Sequence, residues 1–177
     1  MKDYKRFLPF ILTVALVVID QISKLIVIKC IPLNTVGFTL FGDFLIICHV
    51  RNTGAAFSLG AGSSAFLRVL VFIILPLALM IVMCYLVATR RKILTNAQRW
   101  IVAGIAGGGF GTLWDRIFRF NEGVVDFISI KFYGLFGMER WPTFNLSDSF
   151  VVVFVILFAI SVLFQKSPEG DRKEKKK

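Results

Sequence analysis

The chain has 177 residues, of which 56% are hydrophobic, and its mean hydropathy is +0.76. Soluble domains are usually about 45–50% apolar, so the composition argues against a soluble globular protein. The formal net charge of +10 would fit a nucleic-acid partner, but the placement of the basic residues explains it without one. The sequence shows no internal repeat and no low-complexity linker, and residues 1–177 are expected to form a single integral membrane domain.

Four apolar blocks account for the excess of hydrophobic residues. They cover residues 7–28, 65–88, 98–114 and 145–164. Each has about the 20 residues that a helix needs to cross a bilayer, and the third is the least hydrophobic. The first block has a basic start, as a signal peptide would, but it continues through Asp20 and Lys24 without a small-x-small cleavage site. This favours a retained span. The sequence therefore predicts a mainly α membrane protein with four transmembrane helices.

The lysines and arginines lie in three segments that fall on one side of a four-span protein. These segments precede the first block, join the second block to the third, and follow the fourth. Their basic residues are Lys2, Lys5, Arg6, Arg90, Arg91, Lys92, Arg99, Lys166, Arg172, Lys173, Lys175, Lys176 and Lys177. Because basic segments stay in the cytoplasm, both termini are predicted to be cytoplasmic and loops 29–64 and 115–144 to lie outside.

Both outer loops contain strand-like segments. FTLFGDFLIICHV (Phe38–Val50) has two runs rich in aromatic and β-branched residues around Gly42 and Asp43, which predicts a hairpin. VVDFISIKFYG (Val124–Gly134) is also typical of a strand. Because exposed strands need partners, the two loops are expected to pair into a small sheet on the outer surface of the membrane.

Charged residues also occur in and beside the apolar blocks, where a charge is costly. Asp20 and Lys24 are four residues apart and share one helix face. They have two interpretations: an internal ion pair that lowers the cost of insertion, or a polar anchor for a nearby site. Asp115 and Arg116 follow the third block and could form an ion pair at the interface.

Small and turn-forming residues mark two further segments. In HVRNTGAAFSLG (His49–Gly60), Asn52 and Gly54 fit a turn, and the residues after them fit a short helix or a lid. GIAGGGFGTLWDR has glycines four residues apart, including Gly104 and Gly108, and this spacing allows close contact between helices in lipid. A turn and helix packing explain each pattern by itself. No Lys-Ser/Thr follows the glycines, which argues against a phosphate loop.

Two aspartates stand beside apolar segments in the outer part of the chain. For Asp126, within VVDF, the simple explanation is a solvent-facing strand residue. For Asp148, it is a capping box with Asn145 at the start of the fourth helix. The polar residues that fall towards this same membrane face are Asp20, Asn52, Asp115, Arg116, Asp126, Asn145 and Asp148. Clustered ionisable groups in a membrane indicate a functional site by default.

A pair of aspartates is the chemistry that these residues support best. Two carboxylates that share one proton can activate water, with the ionised one as base and the protonated one polarising a carbonyl. His49 is the only histidine and lacks a nucleophile motif, which argues against a Ser-His-Asp triad. A Ser-Lys dyad that uses Lys24 is an alternative. The cysteines show no metal or redox spacing and no His-Glu-x-x-His signature occurs, so neither a metal nor a cofactor is expected.

A non-enzymatic membrane protein, such as a transporter subunit or an assembly factor, is the competing class. A transporter would carry its ionisable residues near the middle of the membrane and show repeated halves. The sequence shows neither feature, and the enzyme interpretation is preferred.

Five motifs resemble those of lipoprotein signal peptidase, a family also called signal peptidase II. In the family's order, they are DQISK (Asp20–Lys24), RNTGAAFS (Arg51–Ser58), GGGFGTLWDR (Gly107–Arg116), VVDF (Val124–Phe127) and WPTFNLSDS (Trp141–Ser149). The resemblance implies a four-helix aspartic endopeptidase of the bacterial inner membrane, with a small extracytoplasmic β-cradle. It also implies prolipoprotein substrates, cleaved just before a diacylglyceryl-modified cysteine. The expected partners are these substrates and membrane lipid, with no nucleic acid, and the expected state is a monomer.

The resemblance further implies roles for individual residues. The catalytic pair is Asp126 and Asp148. The residues that bind substrate or support the pair are Asp20, Lys24, Asn52, Gly54, Gly108, Asp115, Arg116 and Asn145. Thr112 stands where the family usually has asparagine, and threonine lacks the second arm of the amide, so the supporting role of this position is in question.

Reporter fusions test the predicted topology. Fusions at Lys92 and Lys177 should report the cytoplasm, because basic segments stay inside, and fusions near Asp43 and Glu122 should report the outside. An outside signal at Lys177 would contradict the four-span arrangement.

Overall fold

The computed structural model describes residues 3–54, 64–89 and 93–164. Its longer helices are α1 (Pro9–Cys30), α2 (Ala65–Ala88), α3 (Asn96–Phe118) and α4 (Leu146–Leu163). Its strands are β1 (Val36–Leu40), β2 (Leu45–Asn52) and β3 (Val124–Ile130). The predicted fold class is confirmed: the protein is mainly helical and carries one small sheet. The predicted lid after Gly54 and the basic residues at 90–92 and in the tail lie outside the described residues.

Three of the described helical segments are long and apolar enough to cross a membrane. They are Tyr4–Cys30, Ala65–Ala88 and Leu146–Leu163. Their outward faces expose many large aliphatic side chains, such as Ile11 on α1, Ile81 on α2 and Ile156 on α4. Apolar surface on this scale suits lipid rather than water.

Helix α3 lies at the centre of the bundle, which explains why its sequence is the least apolar of the four. Protein rather than lipid surrounds much of it. Its buried residues are Gln98, Val102, Ala103, Gly104, Ile105, Ala106, Gly107, Gly108, Gly111, Leu113 and Asp115. The helix also continues past the predicted end at residue 114. Asp115 and Arg116 therefore belong to its last turn rather than to the outer loop, because both side chains find partners inside the protein.

Glycines on α3 allow its neighbours to approach the backbone. A Cβ atom at Gly108 would lie 2.7 Å from the carbonyl oxygen of Ser147 and 3.0 Å from the nitrogen of Val151, both on α4. A Cβ atom at Gly107 would lie 3.0 Å from that of Leu16 on α1. The sequence interpretation of these glycines as packing residues is consistent with this geometry, since close helix contact in lipid depends on small residues.

The two outer loops pair into an antiparallel sheet with the order β1-β2-β3, as predicted. The β1-β2 hairpin closes with Leu40 opposite Leu45. Strand β2 then pairs with β3, with Val50 opposite Asp126 and Asn52 opposite Val124. This register brings a residue of the first outer loop beside Asp126.

The chain that follows β3 returns along the same strand. Phe144 pairs with Ile128: the nitrogen of Phe144 donates to the oxygen of Ile128 at 3.0 Å, and the nitrogen of Ile128 donates back at 2.8 Å. Because α4 begins two residues later, this pairing delivers the first turn of α4 to the side of β3. The fold thus joins two segments that are distant in sequence.

Substitution of Gly108 tests the packing of α3. Gly108→Ala should lower the free energy of unfolding by about 1–3 kcal/mol, because the new methyl group meets the backbone of α4 and the helices must separate. Gly104→Ala is the matched control: its Cβ would meet the ring of Phe154, a side chain that can turn away. Thermal unfolding in detergent should show the larger loss for Gly108→Ala, and equal losses would contradict the backbone contact.

Candidate active site

Asp126 and Asp148 face one cavity of about 610 Å³, between the sheet and the helices. Its lining residues are Val50, Arg51, Asn52, Phe72, Pro76, Gly109, Thr112, Leu113, Arg116, Val124, Asp126, Trp141, Pro142, Thr143, Phe144, Asp148 and Val151. Most of these side chains are apolar or aromatic, and the two carboxyl groups are the only acidic groups among them. A largely apolar cavity with a few convergent polar groups is the usual form of a binding site.

The sheet supplies one side of the cavity through alternate residues. Val50 and Asn52 on β2, and Val124 and Asp126 on β3, all line it. Successive side chains of a strand point to opposite faces, so the register between β2 and β3 places these four on one face. Asp126 is buried, with 4% of its surface exposed. The sequence alternative of a solvent-facing strand residue is therefore wrong.

Asn145 contacts both aspartates. Its side-chain nitrogen donates to Oδ1 of Asp126 at 2.7 Å, and its backbone nitrogen donates to Oδ2 of Asp148 at 3.0 Å. Its side-chain oxygen accepts from the backbone nitrogen of Asp148 at 3.1 Å, which completes the predicted capping box at the start of α4. One fully buried asparagine therefore fixes the two carboxyl groups relative to each other.

A second asparagine holds the other oxygen of Asp126. The side-chain nitrogen of Asn52 donates to Oδ2 of Asp126 at 3.0 Å. The side-chain oxygen of Asn52 accepts from the nitrogen of Gly54 at 3.0 Å, which forms the predicted turn. Arg116 reaches across from α3 and donates to the carbonyl oxygens of Asn52, at 3.2 Å, and of Gly54. The turn after β2 is thus tied to α3, and its amide is held on Asp126.

The environment of Asp126 changes its acidity. Burial raises the pKa of Asp126 to about 7, and the nearby charge of Asp148 acts in the same direction. The hydrogen bonds from Asn52 and Asn145 oppose this rise because they stabilise the ionised form. A carboxyl group with a pKa near 7 can hold or release a proton at physiological pH, which is the property required of a general acid or base.

A second polar cluster lies behind the cavity and is closed to solvent. Nζ of Lys24 lies 2.7 Å from Oδ2 of Asp20 and 2.9 Å from Oδ2 of Asp115, and all three side chains are 0% exposed. Arg119 pairs with the other oxygen of Asp115, and its Nη1 also donates to Oε1 of Gln21 at 3.1 Å. Two carboxylates thus meet two cations, so the cluster is neutral. Such compensation is necessary because an unpaired buried charge is costly.

This buried cluster holds the backbone beside each cavity aspartate. Oδ1 of Asp20 accepts from the backbone nitrogen of Ser147 at 3.0 Å, one residue before Asp148. Oδ2 of Asp115 accepts from the backbone nitrogen of Val125 at 3.5 Å, one residue before Asp126. The ion pair predicted for Asp20 and Lys24 is confirmed, and the cluster also anchors both elements that carry the carboxyl groups.

Comparison with known proteins identifies the family. The family model described as Signal peptidase (SPase) II matches residues 12–164. The lipoprotein signal peptidase of Treponema denticola is 48% identical over 166 residues, which cover 93% of this chain and 92% of the relative. That of Treponema pallidum is 44% identical over 164 residues, covering 92% and 86%. The chain belongs to the signal peptidase II family.

Solved structures agree with this membership. Two structures of a bacterial membrane enzyme, obtained by the in meso method at 2.3 and 1.9 Å resolution, match with TM-scores of 0.71 and 0.70 at 27% identity. The first match covers 88% of this chain and 87% of the solved chain, and the second covers 89% and 94%. As a signal peptidase II family member, the protein is a membrane peptidase.

The residues that the family resemblance implied fall into three groups in the structure. The first group lies at the cavity: Asn52 and Asn145 bond to Asp126, Arg116 bonds to the carbonyl oxygen of Asn52, and Thr112 is part of the lining. Gly54 lies in the turn that Arg116 holds. Asp20, Lys24 and Asp115 form the buried cluster, and Gly108 is a packing contact. Lys24 does not line the cavity, which argues against the Ser-Lys dyad.

Arg119 and Phe72 were missed by the sequence interpretation. Arg119 was not among the candidate residues, but it compensates the charge of Asp115. Asp115, moreover, pairs with Lys24 and Arg119 rather than forming the predicted interfacial pair with Arg116. The spacing of Asp115 and Arg119, four residues apart, was the signal that could have found this pair. Phe72 is one of three aromatic residues in the span Ala65–Ala88, and only the fold shows that it lines the cavity.

Removal of the buried cation tests the cluster. Lys24→Gln leaves Asp20 and Asp115 with one cation fewer, and the free energy of unfolding should fall by about 3–5 kcal/mol. Lys131→Gln is the matched control, because Lys131 makes its ion pairs with the exposed carboxylates of Asp43 and Glu139, and such pairs contribute little. Thermal unfolding in detergent measures both, and equal effects would contradict a buried, compensated cluster.

Proposed function

We propose that the protein is an aspartic endopeptidase that removes signal peptides from prolipoproteins by cleaving before a diacylglyceryl-modified cysteine. Family membership supports this substrate, since the relatives are named lipoprotein signal peptidases. The observation that carries the aspartic mechanism is the double contact of Asn145, which ties Asp126 and Asp148 together at one cavity. Among the residues that the structure describes, the lining of this cavity holds no other acidic side chain.

In this mechanism the two carboxyl groups share one proton and hold one water molecule. Asp148, at the positive end of a helix, acts as the base. It takes a proton from the water molecule while the water oxygen attacks the scissile carbonyl carbon. Asp126, with a pKa of about 7, is the acid and gives its proton to the carbonyl oxygen. The C–N bond of the resulting tetrahedral intermediate breaks when Asp148 gives the proton taken from water to the leaving nitrogen, and Asp126 takes back a proton from a hydroxyl group of the intermediate as the C=O bond re-forms. This assignment of acid and base describes a coupled pair, whose titration belongs to both groups.

The position of the cavity suits a substrate that stays in the membrane. It lies where the first turn of α4, an apolar span, meets the sheet. A signal peptide crosses the bilayer as a helix, and its cleavage site lies near the outer interface. The apolar cavity walls, including Leu113 and Val151, would exclude bulk water from the reacting groups and contact the lipid-modified chain. Under this proposal the protein spans the bacterial inner membrane with both termini in the cytoplasm and the site towards the outer face.

Cleavage of a lipidated prolipoprotein peptide by the purified protein in detergent tests the proposal. Asp126→Asn and Asp148→Asn each keep the size of the side chain and remove the carboxylate. Each should lower kcat about 1,000-fold or more while the protein stays folded, because the acid or base is lost. The double variant should be little worse than either single variant, since the pair acts as a unit.

Two results would contradict the proposal. A near wild-type rate for either single variant would exclude the aspartate pair. An unlipidated peptide cleaved as fast as the lipidated one would exclude recognition of the diacylglyceryl group.

The raised pKa of Asp126 predicts an unusual pH dependence. As the acid, Asp126 must be protonated, so kcat/KM should fall as pH rises through about 7 and approach a tenfold loss per pH unit. An acid with an ordinary pKa of about 4 would begin this loss about three pH units lower, so a plateau between about pH 5 and 7 distinguishes the raised pKa. Asp43→Asn, at an exposed carboxylate outside the cavity, should leave the profile unchanged. A flat wild-type profile from pH 7 to 9 would contradict the assignment of Asp126 as the acid.

A further inference from the structure

The outer ends of α2 and α3 carry the same short pattern, an arginine followed four residues later by a phenylalanine. Helix α2 has it in RVLVF (Arg68–Phe72), and RIFRF (Arg116–Phe120) has it at the end of α3. Phe120 lies just beyond the end of α3, in the turn that follows the helix. The two helices are antiparallel neighbours, so each arginine lies opposite the phenylalanine of the other pattern.

The four side chains make two crossed contacts. Cζ of Arg68 lies 5.0 Å from the ring centroid of Phe120, and Cζ of Arg116 lies 4.9 Å from that of Phe72. Both distances are within the range of an attractive cation–π contact, and such contacts are stronger away from water. We call these four residues the Arg–Phe clasp.

The backbone of α2 is irregular where it joins the clasp. Leu70–Ile74 is π-helical, and the backbone nitrogen of Leu75 donates to the oxygen of Leu70. Pro76 follows and has no N–H to donate. Short π-helical stretches occur frequently at functional sites. Here the stretch contains Phe72, which lines the cavity together with Pro76, one turn further along.

We propose that Phe72 is a positioning residue for the aspartate pair, and that it acts through Arg116. Within the clasp, the ring of Phe72 fixes the guanidinium of Arg116, which donates to the carbonyl oxygens of Asn52 and Gly54. The turn from Asn52 to Gly54 then holds the side-chain amide of Asn52 against Asp126. The expected change in kcat rests on the proposed function. The expected change in the titration of Asp126 rests on the contacts alone.

The location of α2 makes this link informative. In its most apolar stretch only 6% of the residues are buried, so lipid rather than protein surrounds most of the helix. The clasp is a specific polar contact between this helix and the residues around Asp126.

A set of substitutions in α2 separates positioning from substrate binding. Phe72→Leu removes the aromatic face and keeps an apolar side chain, Phe72→Tyr keeps the face, and Phe66→Leu is the control at a ring that is 77% exposed on the same helix. Phe72→Leu should lower kcat about 3- to 30-fold with little change in KM, as expected for the loss of one cation–π contact. Phe66→Leu should retain the wild-type kcat, and Phe72→Tyr should lose less than Phe72→Leu because it keeps the aromatic face. A change in KM alone would make Phe72 a substrate contact and overturn the inference.

Titration of the Asp126 carboxyl group gives a readout that needs no substrate. It is followed by ¹³C NMR in detergent, with the signal assigned by its absence in Asp126→Asn. Asn52 stabilises the ionised form, so a weaker Asn52 contact should raise the pKa of Asp126 in Phe72→Leu. The charged groups that also act on Asp126 are Asp148, Lys24 and Arg116, and none of them is replaced in Phe72→Leu.

The two readouts keep the two proposals distinguishable. If the wild-type protein does not cleave the lipidated peptide, the proposed function fails, and the titration still decides the inference. An Asp126 titration that is identical in the wild type and in Phe72→Leu overturns the inference, whatever the rate of cleavage.

Discussion

The ammonium group of Lys24, held between the carboxylates of Asp20 and Asp115, is the contact on which the rest of the site depends. Two helices, α1 and α3, bury these charged groups, and each charge is tolerated only because the others compensate it. The two carboxylates also accept from backbone nitrogens, Asp115 from Val125 on β3 and Asp20 from Ser147 on α4. The cluster lowers the cost of inserting charged helices into the membrane, and it also fixes β3 and α4 relative to each other. Because Asp126 lies on β3 and Asp148 on α4, this also fixes the two cavity carboxyl groups relative to each other.

Two kinds of carboxylate therefore lie within one small bundle. Asp20 and Asp115 are paired with cations and serve as fixed acceptors. Asp126 is held by two neutral amides, and burial brings its pKa to about 7. The difference is one of partners rather than of depth. The two amides favour the ionised form of Asp126, but they do not cancel the effect of burial, so its carboxyl group can still exchange a proton near pH 7.

The parts of this arrangement that depend on neighbouring residues could be predicted from the sequence. The capping box of Asn145 and Asp148, the β1-β2 hairpin and the ion pair of Asp20 with Lys24 each follow from a spacing of a few residues. The contact of Asn145 with Asp126 could not, because it depends on the return of Phe144 along β3. Hydropathy also placed the end of α3 at Trp114, since it counts Asp115 and Arg116 as polar without knowing that both are satisfied inside the protein.

The central claim is that Asp126 and Asp148 act on one atom of the substrate at the cavity. The most direct test is a structure of the protein with a lipidated peptide whose scissile amide is replaced by a hydroxyethylene group, a mimic of the tetrahedral intermediate. The account predicts that the hydroxyl oxygen lies about 2.5–3.0 Å from a carboxyl oxygen of Asp126 and of Asp148. A hydroxyl group bound to only one of the two, or a peptide bound outside this cavity, would contradict it.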